Sequence, residues 1–205
     1  MSEFRTENDS LGPVEVPNSA LYGAQTQRAK DNFPISSLRF PRLFIRSMGI
    51  IKGAAALANL KLGLLDGQIA NAIIAAAERV AAGEVDDAFV LDIFQTGSGT
   101  STNMNANEVI GNLASIELGG RLGDKNVHPN DHVNMSQSSN DIFPSAMHLV
   151  VAQLTHDTLF KSLDELETEL AQKQVEFKEI TMVGRTHLMD ALPLTVGAVL
   201  SAFCA

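Results

Sequence analysis

Apolar residues dominate positions 42 to 62 and again 66 to 82, with Gly63-Leu64-Leu65-Asp66-Gly67 between them. That pattern predicts two antiparallel helices, the second capped by Asp66 and stopped by Gly83. A third helix is expected from about Asn103 to Leu118, ended by Gly119-Gly120. The longest runs from Asp141 to about Glu179, a stretch without Gly, with Pro144 falling in its first turn. Along it Phe143, Met147, Val151 and Leu154, then Leu159, Leu163, Leu166 and Leu170, recur at steps of four and three with one shift between the sets. A helix of about 35 residues is roughly 50 Å long, too long for one small globule. It is expected in a bundle between subunits.

The flanks read differently. Residues 1 to 45 carry Pro13, Pro17, Pro34 and Pro41 with scattered Gly and are expected to be mostly loop and short turns. The apolar stretch Ala191 to Ala205 stops without Gly, Pro or a polar cap, as though inside another helix, so the chain is expected to be a fragment of a longer protein. The resulting fold class is all-α: an N-terminal helical domain over 1–140 and, over 141–205, the first part of a central long-helix bundle.

Composition narrows the classes. An apolar content of 45% over 205 residues is enough to bury a substantial core, and aromatics of 5% with Ala runs favour closely packed helices. The net charge of −9 argues against nucleic acid, whose phosphates need a Lys/Arg surface. It also means that an acidic ligand must be captured by local donors rather than steered by the whole protein. Cys204 is the only cysteine, and the start Met1-Ser2-Glu3-Phe4-Arg5-Thr6-Glu7 is unlike a signal or transit peptide, so a cytoplasmic setting is expected. No uninterrupted apolar run reaches the roughly 20 residues of a membrane span, and no membrane partner is expected.

Three polar stretches interrupt this helical text: Gly97-Ser98-Gly99-Thr100-Ser101-Thr102-Asn103, Ser136-Gln137-Ser138-Ser139-Asn140-Asp141 and Gly184-Arg185-Thr186-His187. Hydroxyls, amides and an imidazole hold carboxylates and move protons without metal or organic cofactor, and none is expected here. Gly97 to Thr100 precedes a helix, where unpaired N–H groups and the positive dipole end make an oxyanion cradle, with Ser98, Thr100 and Asn103 adding donors. Capping alone is the alternative for this stretch, and Ser139, Asn140 or Asp141 would each make an ordinary N-cap for the long helix, although a cap needs one residue and several are supplied. Thr186 beside His187 is open to two readings, a proton-transfer pair or a structural histidine, with Arg185 either touching ligand or tying down its loop through an ion pair. His128 and His132, four apart around Asp131, have a spacing open to zinc, but Pro129 disturbs that turn and no third ligand is near.

Taken in order, Leu21 to Ala29, Gly97 to Thr100, Asn103 to Val109, His128-Pro129-Asn130-Asp131, Ser136 to Asp141 and Gly184 to His187 resemble the class II fumarases of the fumarase/aspartase superfamily. The resemblance implies cofactor-free, reversible hydration of fumarate to (S)-malate, a step of the tricarboxylic acid cycle. It also implies a homotetramer with a central bundle whose sites each draw on three subunits. By matching position it assigns Ser98, Gly99, Thr100, Ser138, Ser139, Asn140 and Thr186 to the substrate carboxylates, His187 to proton transfer, and His128, Pro129, Asn130 and Asp131 to a second carboxylate site. The family's mobile Gly-Ser-Ser loop, which supplies another proton-transfer serine and a cation, would lie beyond Ala205, so this piece alone is expected to be inactive. Met135 and Met189 stand where the family commonly has Lys and Gln. Aspartases are the nearest alternative; they resemble this plan but carry Gln in place of His187 and Asn in place of His128. A non-catalytic helical scaffold is the alternative from another class.

Overall fold

The computed structural model describes residues 3–204 and is predominantly helical; Met1, Ser2 and Ala205, the outer ends of two of the readings above, lie outside them. Two compact units divide at Val150–Val151, inside a helix.

The first unit opens with a β-hairpin, β1 (Phe4–Asp9) antiparallel to β2 (Gly12–Pro17), followed by α1 (Ala24–Asn32). This corrects the expectation of loop before residue 45. Prolines are tolerated because a two-stranded sheet consists only of edges, where a missing N–H breaks no central ladder. Then come α2 (Arg42–Lys61) and α3 (Gly67–Ala82), as the apolar pattern requires. Asp66 caps α3 by accepting from the Gln68 and Ile69 amides, and Gly83 ends it in the left-handed region. Arg42, at the start of α2, donates to the Val80 and Ala81 carbonyls at the end of α3, which makes the pair antiparallel. Close approach is set by Gly49, where a Cβ would lie 2.8 Å from the Ala77 carbonyl oxygen. By length and composition α2 alone among the described helices could cross a membrane, yet its Phe44, Ile45, Met48 and Ala56 lie in the core of this unit.

At the centre of the unit stands α4 (Thr100–Glu117), buried continuously from Thr102 to Ser115 and ended by Gly119 in the left-handed region. Its polar residues are buried too, and they hold irregular backbone: Asn105 donates to the Ala88 carbonyl, Asn112 to that of Leu21, and Ser115 accepts from the Val127 amide. Glu108 accepts from the amides of Gly23, Gln25 and Thr26 at 2.9, 2.9 and 3.0 Å, closing the N-terminus of α1 with a carboxylate. Burial pushes the Glu108 carboxyl up from its ordinary range, against these bonds.

α5 (Ser139–Leu154) begins two residues earlier than expected, so Pro144 is its sixth residue and lies beyond the first turn. The next element is a wide turn with i→i+5 geometry over Thr155–Leu159, continued by α6 (Phe160–Glu176). Here lies the cause of the shift in the apolar repeat: the step from Leu154 to Leu159 is five, which matches the i→i+5 geometry of the wide turn. In the second unit α6 leads into β3 (Thr181–Thr186), antiparallel to β4 (Met189–Thr195), and then α7 (Val196–Ser201). The expected helix from Ala191 is thus corrected to a strand followed by a short helix capped by Thr195. Strand pairing opposite residues 181–186 overrides the helical composition.

Candidate active site

The N-cap of α4 is Gly99, at φ 73°, and no side chain caps this helix. Capping therefore does not consume the neighbouring hydroxyls. Ser98 and Thr100 are exposed and hydrogen-bond each other at 3.0 Å, with Thr96 a further 3.3 Å from Ser98. Gly99 is required twice: its φ is left-handed, and a Cβ would lie 2.2 Å from Phe143 Cγ.

Phe143 belongs to α5, so this contact presses the start of α4 against the first turns of α5. The ring is fixed in turn by Phe44 and Phe40 of the α2 region, with centroids 5.0 and 5.7 Å away. Asn103 of α4 donates across the same junction to Ser139 Oγ at 2.9 Å. Ser139 accepts there and retains its own O–H. Ser138 Oγ accepts from the Asn140 amide at 3.3 Å, one ordinary cap, which leaves Asn140 exposed beside it. Ser98, Gly99 and Thr100 are thus brought together with Ser138, Ser139 and Asn140 at two adjacent helix N-termini on an open face, where N–H groups and dipoles favour an anion. Asn103 is fully buried and acts as the bridge between the two segments rather than as a surface donor.

Beneath this face lies a polar cluster. Asn134 Oδ1 accepts from Asn103 Nδ2, Asn107 Nδ2 and Lys52 Nζ, each at 3.1 Å, and Gln137 Oε1 accepts from Lys52 Nζ at 2.8 Å. Gln137 Nε2 also donates to the Val133 and Met135 carbonyls, and Asn59 Nδ2 to that of Met135. Between them Ser136 holds φ 60°, a strained value for a residue with a Cβ that these surrounding bonds over-determine. Lys52 is 0% exposed, and burial alone lowers its ammonium to a pKa of about 7.

His128 is the N-cap of a single wide turn, Pro129–Val133, and His132 lies within that turn. His128 Nδ1 accepts from the Asp131 amide at 3.2 Å, and His132 Nδ1 accepts from the His128 amide at 2.9 Å. Both imidazoles cap local backbone, and no group of three metal-ligating side chains occurs among the described residues. A cavity of about 330 Å³ is lined by His128, Pro129 and Asn130 together with Glu7, Asp9, Glu108 and Lys125. Asp131 is not part of that lining, and the acids there outnumber the one lysine.

Thr186 and His187 belong to the β3–β4 hairpin of the second unit. Its two-residue turn is His187-Leu188, with φ 51° and 65°, the mirror-image turn that Asn-Gly ordinarily occupies. His187 is exposed at the tip and Leu188 is 97% exposed. Arg185 pairs with Asp190 at 3.1 Å across the hairpin, which is the loop-tying role.

Comparison with known proteins agrees with this fold. A family model described as lyase matches residues 12–205. The chain belongs to the lyase family. It is 54% identical to a class II fumarate hydratase of Halobacterium salinarum over 198 residues, covering 96% of this chain and 42% of that protein. The class II fumarate hydratase of Thermus thermophilus is 53% identical over 205 residues, covering 99% and 44%. Among solved structures, the recombinant class II fumarase from Schistosoma mansoni superposes with a TM-score of 0.88 at 44% identity, covering 97% of this chain and 42% of that one. The chain spans less than half the length of these relatives.

For a lyase chain, two groups in the first unit escaped the sequence reading: Lys52 and Asn134. Lys52 was detectable, since it falls on the row Ile45, Met48, Lys52, Ala56, Asn59 that α2 buries, where a charge is out of place. Asn134 carried no such sign. Its importance comes from accepting three bonds at once, which only the packed structure arranges.

Proposed function

We propose that this chain is the N-terminal part of a class II fumarate hydratase, catalysing the reversible, cofactor-free hydration of fumarate to (S)-malate as a cytoplasmic homotetramer of the tricarboxylic acid cycle. The observation that carries the reading is the junction of Ser98–Thr100 with Ser138–Asn140 through Gly99, Phe143 and Asn103. It assembles more donors than capping uses, at two helix N-termini. Removing a proton next to a carboxylate builds an extra negative charge, which fixed donors stabilise better than reorienting water does. Ser98, Thr100, Ser138, Ser139, Asn140 and Thr186 hold the substrate carboxylates, Gly99 lets backbone approach them, and His187 transfers a proton.

The tetramer has support in the second unit, where Val151, Leu154, Leu159, Leu163 and Leu166 are exposed along one helical repeat. His128 to Asp131 form a second carboxylate site, weaker than the first because Glu7, Asp9 and Glu108 line the cavity of its His128, Pro129 and Asn130, with Asp131 outside that lining. The test is the ultraviolet absorbance of fumarate with the intact protein. Hydration to malate is expected, together with loss of that activity in Ser139→Ala and in the isolated 205-residue chain. Release of ammonia from aspartate in place of hydration would assign an aspartase, and neither reaction a scaffold.

A further inference from the structure

The buried polar cluster beneath the donor face contains a cation that the proposed reaction does not yet use. Among the described residues Lys52 Nζ donates only to neutral acceptors, Asn134 Oδ1 and Gln137 Oε1. Behind them, through Asn134, stand the amides of Asn103 and Asn107 from α4. The Oδ1 atoms of Asn103 and Asn107 are buried without a hydrogen-bond partner among the described residues, so this cluster holds a surplus of acceptors. Burial is the only influence on the ammonium; no carboxylate, imidazole or guanidinium of α2, α3, α4 or the 134–137 segment adds to it. An unneutralised charge in such a place is costly, and an anion bound nearby would compensate it.

The connection to the donor face is short. Asn134 ties Lys52 to Asn103, and Asn103 donates onward to Ser139 Oγ. Gln137 lies one residue before Ser138 and holds the strained turn at Ser136 through two carbonyls.

We propose that Lys52 is a positioning residue for the substrate site, whose buried ammonium orders the 134–139 segment and serves as the counter-charge beneath a dicarboxylate bound at Ser138, Ser139 and Asn140. This rests on the reading of those residues as a carboxylate site. Since Lys52 releases its proton near pH 7 in the free protein, a bound dianion favours the protonated form, so binding and proton uptake are linked. Ligand affinity then falls as pH rises through that range, because each binding event must first restore the proton.

The experiment uses the intact protein and (S)-malate as the probe. Calorimetric titrations at pH 7.5, in two buffers of different ionisation enthalpy, give affinity and proton uptake together. Wild type is expected to take up a fraction of a proton that Lys52→Met lacks. Lys52→Met binds malate at least 10-fold more weakly, whereas Lys52→Arg, permanently charged, keeps affinity within about 3-fold and flattens its pH profile. If either variant fails to fold, NMR titration of the Lys52 side-chain signal in wild type decides. Its midpoint should move upward when malate is bound, and an unmoved midpoint overturns the proposal. Ser139→Ala separates the two readings. Weakened binding in Ser139→Ala with unchanged affinity and proton uptake in Lys52→Met overturns the role of Lys52 alone. Unchanged binding in Ser139→Ala removes the carboxylate site itself, and the role of Lys52 with it.

Discussion

The two units differ in what they satisfy internally. Among the described residues, all the buried apolar side chains, from Val16 to Ala146, belong to the first unit, where even Asn105 and Asn112 of α4 find partners in the backbone of other segments. Among the described residues of the second unit Gly197 alone is buried, and Leu163 and Leu166 of α6 face outward. Both obey the same local rules of periodicity and capping. The contrast shows that secondary structure follows from short-range pattern, whereas burial depends on whether a complementary face is available.

The largest expected effect tests the interior of the first unit. An unfolded lysine keeps its proton to about pH 10.5, and folded Lys52 releases it near 7. Between those values the unfolded chain binds more protons, so stability rises with pH, by up to about 5 kcal/mol across the window; below about pH 7 the cost is full and constant. Denaturant titrations of wild type against Lys52→Met from pH 6 to 10 should show this slope only in wild type. Next, His187→Gln in the intact protein should lower turnover by about 100-fold or more while malate affinity stays within a few-fold, since the side chain is exposed and supports no packing. Equal loss of affinity with unchanged turnover would assign His187 to binding.

A pair of glycines sharpens the contrast within one loop. Gly99→Ala should cost about 2–4 kcal/mol because its Cβ meets Phe143, whereas Gly97→Ala, with nothing within 4 Å, should cost about 1 kcal/mol from its φ of 74° alone. Thermal melts of the two variants measure the difference. In the second unit Leu188→Gly should stabilise the hairpin by about 1 kcal/mol by relieving a left-handed residue, visible in hydrogen exchange of β3 and β4. The smallest effect on folding is expected for Leu163→Lys, within about 0.5 kcal/mol because the side chain is half exposed. Its light-scattering mass should nevertheless fall if this face joins subunits.

Much of this molecule was legible before folding. The α2–α3 pair, the Asp66 cap, the ends at Gly83 and Gly119, and the shift between Leu154 and Leu159 are all local, so neighbouring residues encode them. The two hairpins were missed because strand pairing is a relation between segments and Pro is harmless in a two-stranded sheet. For the donor clusters, the residue types and their place before helices pointed to an anion site, which Gly99 as N-cap and its contact with Phe143 support. That Asn103 bridges rather than binds was not legible, because its partner Ser139 is 36 residues away.

What the residues determine by themselves is the chemistry on offer: hydroxyls, amides and imidazoles at the starts of helices, set in an apolar text that must bury itself. The tertiary structure alone decided which polar groups are consumed and which remain. It placed Lys52 on a buried face beneath Asn134, and turned a run of asparagines into the internal support of α4. The physical reason is that a hydrogen bond or a lost hydration shell depends on what lies across the gap, and a linear chain does not contain that information.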